Sequence, residues 1–125
     1  MSNMEERYLN MMHQWLILRQ EGKSIDRYLK RQGYNSVAVY GMAIYGRHVI
    51  RELKESDIKI IYGIDRRKVD AYMNIQVLQP TEKLPHVDAF INTVLNDHAG
   101  IKDCLAKIAD SPVISLEDII FESYN

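Results

Sequence analysis

The chain opens on a helical rhythm. Met4, Tyr8, Met11, Met12, Trp15 and Leu16 recur at helical spacing, which predicts an amphipathic helix over residues 4–21 with Gly22 as its stop. Ser24 is placed to cap a second, shorter helix. Asp26 stands in its first turn, Ile25, Tyr28 and Leu29 form its apolar side, and Gly33 ends it. From Asn35 the rhythm changes. Val37-Ala38-Val39-Tyr40 is a short continuous apolar run, the pattern of a parallel strand covered on both faces. A helix is predicted over about 45–54, with Val49, Ile50 and Leu53 inward, and residues 58–64 (IKIIYGI) read as the second strand. Residues 66–74 read as an irregular, charged connection. A short strand at 75–78 ends before Pro80, and Leu84-Pro85 marks a turn. Residues 87–94 (VDAFINTV) read as the next strand. Residues 98–109 read as a helix that turns Ile101, Cys104, Leu105 and Ile108 inward. Val113 and Ile114 form a last strand, and Ser115 is placed to cap a closing helix, LEDIIFES.

Strands alternating with helices predict an α/β fold with a parallel sheet. Right-handed crossovers then give a single Rossmann-like domain of about five strands in the order 3-2-1-4-5, flanked by helices. That domain is expected over residues 35–125, with residues 1–34 as an N-terminal helical extension. The 125 residues suffice for one domain that folds without disulfides or metal, and leave little room for a second, substrate-binding one.

Charge sharpens this reading. The formal net charge is −1, which disfavours a general nucleic-acid or anionic-membrane binder. No run of about 18 apolar residues predicts a membrane span. The lone cysteine, Cys104, fits a reducing, cytoplasmic setting. The charge is unevenly distributed: residues 1–68 hold 13 Lys and Arg against 8 Asp and Glu, whereas residues 69–125 hold 3 against 9. A basic N-terminal half suits an anionic ligand.

The segment VAVYGMAIYGRHVIREL places Gly41, Ala43 and Gly46 between a strand and a helix, in the pattern of a dinucleotide fingerprint. In that pattern Gly41 allows the tight turn, the middle position lets backbone approach a pyrophosphate, and Gly46 lets the helix pack close. Ile44 and Tyr45 complete the turn, and the first amides of the helix offer an anion site. Ala43 puts a methyl group where the pattern has glycine. Asp65 ends the second strand, 24 residues after Gly41, where an acid can hydrogen-bond ribose hydroxyls. Arg66, Arg67 and Lys68 follow it and suit a phosphate, and Arg47 lies one residue into the next helix turn. Tyr45 is a candidate to stack on a base, while Tyr40 and Tyr62 read as core. Thr93 and Asn96, at the carboxyl end of the fourth strand, are expected beside the Gly41 turn. No histidines pair at metal-ligand spacing, and Cys104 reads as core. A Gly-x-Ser-x-Gly elbow, a GxxxxGK[ST] loop and a Tyr-x-x-x-Lys pair are all missing, so no catalytic residue is assigned.

The stretch WLILRQEGKSIDRYLKRQGYNSVAVYGMAIYGRHVIREL, followed by IYGIDRR, VDAFINTV and SPVISLEDIIFE, resembles small nucleotide-binding domains of bacterial surface-polysaccharide loci. These are similar to the N-terminal domains of sugar acyltransferases and to the nucleotide domains of sugar-nucleotide dehydratases and epimerases. The resemblance covers nearly the whole chain. It implies a crevice for NAD(P) or a UDP-sugar, with Gly41, Ala43 and Gly46 as the phosphate turn and Asp65 as the acidic strand end. It also implies a role beside a glycosyltransferase. The acyltransferase β-helix and the dehydratase Tyr-Lys pair are missing. Two further readings stand beside this one: an interaction or structural domain with no ligand, and a glycosyltransferase or oxidoreductase completed by a partner. The Met- and Trp-bearing helix 4–21 needs a partner surface, which is either the domain's own sheet and helices or, as an interface, a second copy or a glycosyltransferase.

Overall fold

Val37, Ala38 and Val39 are wholly buried, as a central strand with a layer on each face requires. They belong to β1 (Ser36–Tyr40) in a computed structural model that describes residues 3–81 and 83–125. The other strands are β2 (Lys59–Ile64), β3 (Val77–Leu78), β4 (Ala89–Asn92) and β5 (Val113–Ser115). The helices are α1 (Asn3–Gln20), α2 (Asp26–Arg31), α3 (Ile44–Leu53), α4 (His98–Ala106) and α5 (Leu116–Glu122). All strand pairs are parallel and the order is β3-β2-β1-β4-β5, as the alternation of strands and helices predicts. The order reverses between β1 and β4, which is where such sheets place a crevice.

The period-two alternation of β1 divides the core. Val37 and Val39 face a layer built from α1, α2, α3 and α5, with Met11, Trp15, Leu18, Leu29, Val49 and Ile120 among the buried residues. Ala38 and Tyr40 face the other way, onto Tyr62, Phe90 and the α4 residues Ile101 and Leu105. The N-terminal helices therefore share one core with the sheet. On the α4 side the strand edge is covered by the loop before β4, where Tyr62 donates its hydroxyl to the Pro85 carbonyl at 2.7 Å. Burial pushes that phenol up to about 12.

One carboxylate joins three helices. Glu52 on α3 accepts the indole N–H of Trp15 at 3.0 Å and the backbone N–H of Ile25 at 2.8 Å, and pairs with Arg19 at 3.3 Å. Burial raises its pKa, partly offset by these donors. Its two oxygens serve two different donors, and an amide offers only one acceptor oxygen. Glu52→Gln should therefore leave one donor facing an NH2 group and cost about 1–3 kcal/mol. Urea unfolding checks this.

Several local expectations are corrected. Leu16 is 58 % exposed, and Leu18 takes the inward position. Ile108 lies beyond α4 and is exposed, and Cys104 is only half-buried. Ser24 does not cap α2. The N-cap is Ile25, and the Ser24 hydroxyl bonds the Asp26 carboxylate instead. Ser115 sits at the α5 N-cap but makes no side-chain cap bond. The strand expected over 75–78 shortens to Val77–Leu78. Ile75 instead closes a tight turn onto Tyr72, with Met73 and Asn74 in the left-handed region. The strand expected over 87–94 shortens to Ala89–Asn92, and just before it the Asp88 carboxylate accepts the Asn35 and Ser36 amides at 2.7 and 3.1 Å. No helix among the described residues is long and apolar enough to cross a membrane.

Candidate functional site

The chain leaves β1 through Gly41, whose φ of 93° lies in the region that glycine enters without strain. A side chain there would also bring its Cβ within 2.4 Å of the Thr93 hydroxyl. At Gly46 the constraint is contact. A Cβ there would lie 1.9 Å from the Gly41 carbonyl oxygen, so α3 crosses directly against the end of β1. This is the close packing that the third glycine of the fingerprint permits.

Asp65 fixes the turn from below. It is buried, with Oδ2 accepting the Met42 N–H at 3.0 Å and Oδ1 accepting the Arg67 backbone N–H at 2.9 Å and its Nε at 3.3 Å. Burial raises the carboxyl pKa. The donors from Met42 and Arg67 outweigh that, and the group sits below its ordinary value. The Met42 side chain is also buried and covers Gly63 on β2, where an added Cβ would lie 2.6 Å from the Met42 sulfur.

Above this floor the helix start is open. Ala43 occupies the N-cap of α3 and no side chain caps the helix. The amides of Ile44, Tyr45 and Gly46 therefore have no acceptor within the helix, and they carry the positive end of its dipole. A cleft of about 390 Å³ lies beside them, lined by Met42, Ala43 and Ile44 and by Arg47, Arg67, Lys68 and Val69. Among the described residues, no carboxylate lines this cleft. Arg47 is held in place by a bond from Nε to the Met42 carbonyl at 3.3 Å and by the Tyr72 ring, 5.0 Å from its guanidinium carbon.

Of the residues singled out from sequence, Gly41, Ala43, Ile44 and Gly46 form this turn. Asp65 supports it, with both oxygens engaged by its own chain. Arg66 leaves the cleft: its Nε meets the Tyr40 hydroxyl at 3.2 Å, and it borders a separate hollow with Gln79, Thr81 and Cys104. Tyr45 stacks on Tyr8 of α1, with ring centroids 4.7 Å apart and planes 15° from parallel. Thr93 is buried, with its hydroxyl 2.8 Å from the Tyr40 carbonyl and 3.1 Å from that of Gly41, so it staples β4 to the turn. Asn96 is exposed in the 3-10 turn Leu95–Asp97. Tyr40 and Tyr62 are core residues.

Two features of the site escape sequence reasoning. Met42 is the first, and its signal is Gly63: a glycine inside a strand marks a close approach from another group. The second is the tie between α1 and the loop after β4. The Leu95 N–H donates to the Tyr8 hydroxyl at 2.9 Å, and Arg7 reaches the Leu95 carbonyl at 3.4 Å while pairing with Glu117 at 2.8 Å. The residues around the cleft thus come from the ends of β1 and β2, and the β4 side is held by the protein's own helix.

Among the described residues, no three His, Cys, Asp or Glu side chains gather into a metal site. The cleft sets the uncapped start of α3 beside three cationic side chains, an arrangement whose chemistry suits an anion. Comparison with models of protein families, with curated proteins and with solved structures gives no match.

Proposed function

We propose that the chain is a nucleotide-binding domain that holds the phosphates of NAD(P) or a UDP-sugar over Ala43–Gly46. In this reading it works in the cytoplasm, in bacterial surface-polysaccharide synthesis, as an accessory to a glycosyltransferase. One observation carries the binding claim: the uncapped start of α3, reached by a tight glycine turn, opens into the cleft bordered by Arg47, Arg67 and Lys68. The pathway and partner rest on the sequence resemblance.

The side chains favour some nucleotides over others. Asp65 gives its oxygens to Met42 and Arg67, so a ribose 2′-hydroxyl finds a cation at the strand end in place of an acid. Arg67 and Lys68 suit a further phosphate there, which favours NADP over NAD.

A thermal-shift series with NAD, NADP, UDP and UDP-N-acetylglucosamine tests the proposal. A ligand at about 100 times its Kd adds roughly 2.7 kcal/mol, which raises Tm by several degrees in a domain of this size. The double variant Arg67→Gln/Lys68→Gln should weaken binding by about a hundredfold or more, since each charged hydrogen bond is worth roughly 1.5–3 kcal/mol. A shift that survives this variant unchanged places the ligand elsewhere. The self-sufficiency of the turn, with Met42 and Asp65 completing it, favours one second reading, a structural domain without nucleotide. In that case no nucleotide raises Tm at millimolar concentration.

A further inference from the structure

One side of α3 carries a row of cations. Arg47, Arg51 and Lys54 follow one another at four and three residues, so they stand one above the next, away from the buried Val49, Ile50 and Leu53. All three are exposed. Arg67 and Lys68, on the connection after β2, are exposed too and extend the row past the start of the helix. Uncharged groups hold the row in place. Arg47 lies over the Tyr72 ring and bonds the Met42 carbonyl, Arg51 donates to the Tyr72 hydroxyl at 2.7 Å, and Lys54 donates to the Met73 carbonyl. Among the described residues, Arg67 alone of the five forms an ion pair, with Asp65. The acids beside the row in sequence are Glu52, Glu55, Asp57 and Asp70. Glu52 pairs with Arg19 and Asp57 with Lys30, Glu55 shares a hollow with Arg51 toward α1, and Asp70 stands on the exposed connection. Positive charge remains in excess. Arg47 and Arg51 are like charges one turn apart, which costs helix stability that an opposing anion returns.

The row is flanked at both ends by an exposed apolar side chain. Ile44, 64 % exposed, stands three residues before Arg47 on the same side of α3. Met73, 40 % exposed, tops the tight turn whose carbonyl Lys54 holds. This juxtaposition selects the partner. A phosphodiester chain or an acidic peptide meets the cations and leaves both aliphatic side chains in water. An anionic bilayer meets both: its headgroup phosphates take the cations, and the acyl boundary beneath takes Ile44 and Met73. The formal charge of −1 argues against a general binder of anionic surfaces. A bilayer surface, however, attracts charges only within about a Debye length, roughly 8–10 Å, so a local row suffices.

We propose that this face docks the chain peripherally on a bilayer of anionic phospholipid, with Arg47, Arg51, Lys54 and Lys68 at the headgroups and Ile44 and Met73 inserted at the two ends. The face borders the cleft at Ala43–Gly46 and shares Arg47, Arg67 and Lys68 with it, but docking does not rest on the nucleotide reading. Arg51, Lys54 and Met73 lie outside the cleft, so variants there separate the two.

Co-sedimentation of the full chain with vesicles is the test. One set is phosphatidylcholine alone and the other carries about 30 % phosphatidylglycerol. The expected result is binding to the anionic set only, falling as salt rises from about 0.05 to 0.5 M. Arg51→Gln/Lys54→Gln should weaken it by about twentyfold or more, since each cation near the surface is worth roughly fivefold. That variant should keep the wild-type circular dichroism and any Tm shift that a nucleotide gives the wild type. Ile44→Ser/Met73→Asn should weaken vesicle binding by about fivefold or more with the same salt dependence, asparagine being suited to the left-handed backbone at residue 73. No binding to anionic vesicles at low salt overturns the proposal, and so does binding that survives Arg51→Gln/Lys54→Gln. Binding indifferent to Ile44→Ser/Met73→Asn overturns it as well. The cations then serve a polymer or a solute, which competition by single-stranded DNA and by inorganic phosphate tells apart.

Discussion

Gly46→Ala is expected to lower stability by about 3 kcal/mol or more, a large share of the roughly 5–15 kcal/mol margin of a domain this size. The new Cβ would lie 1.9 Å from the Gly41 carbonyl oxygen and 2.9 Å from its carbon. Both are backbone atoms, so no side chain can rotate away to make room. Either α3 lifts off β1 or the Gly41 turn shifts. Either movement disturbs Val49, Ile50 and Leu53, which are fully buried beneath the helix. Gly46→Val adds two methyl groups to the same clash and should not give a folded protein. Urea unfolding followed by circular dichroism reads the alanine variant, with a lower midpoint at an unchanged slope. A wild-type midpoint would mean that α3 does not press on the turn, and would remove the geometric basis of the anion cleft.

Asp65→Ala is the second large effect, expected at about 2–3 kcal/mol. It leaves the Met42 N–H without its acceptor beneath a buried side chain, and leaves Arg67 without its partner. Asp65→Asn keeps the shape but supplies one acceptor oxygen for donors that approach both, so it should fall between wild type and alanine.

The pH dependence carries its own signature. The folded Asp65 pKa lies below the unfolded one. Its contribution is therefore complete above the unfolded carboxylate value of about 3.9 and is lost as pH falls through the lower folded value. Asp65→Asn should flatten that acid limb. Glu52 works in the opposite sense. Its folded pKa is raised, so it adds stability as pH falls through that value toward the unfolded one of about 4.3. Unfolding curves from about pH 7 to pH 2 on wild type, Asp65→Asn and Glu52→Gln separate the two. An acid limb unchanged in Asp65→Asn would show that the carboxylate does not hold the turn.

The parts of the fold that were legible in the sequence are those where one residue pattern admits one geometry. Val37–Tyr40 is a continuous apolar run and the structure makes it the central strand; Gly41 and Gly46 mark a turn and a contact that β-carbons forbid. Alternating strands and helices predict the parallel sheet, and the fingerprint-like Gly41 turn selects the 3-2-1-4-5 order among those that right-handed crossovers allow. What was not legible depends on partners remote in the chain. Glu52 reads as one more acid on a helix until Trp15 and Ile25, 37 and 27 residues away, converge on it. Tyr45 reads as a ligand-stacking residue until Tyr8 covers it. Arg66 and Arg67 are neighbours with the same chemistry, yet Arg66 turns to Tyr40 and Arg67 to Asp65. Which of two adjacent arginines faces a cleft is decided by tertiary contacts that spacing does not encode.

The most direct test of the nucleotide reading is an amide-resolved NMR titration of the full chain with NADP, NAD and UDP-N-acetylglucosamine. The account predicts saturable shifts at the amides of Ala43–Arg47 and Arg67–Val69 with at least one of these ligands. It also predicts that the shifts weaken with salt and are largely lost in Arg67→Gln/Lys68→Gln. Shifts confined to another surface, or none with any of the three at millimolar concentration, would contradict it.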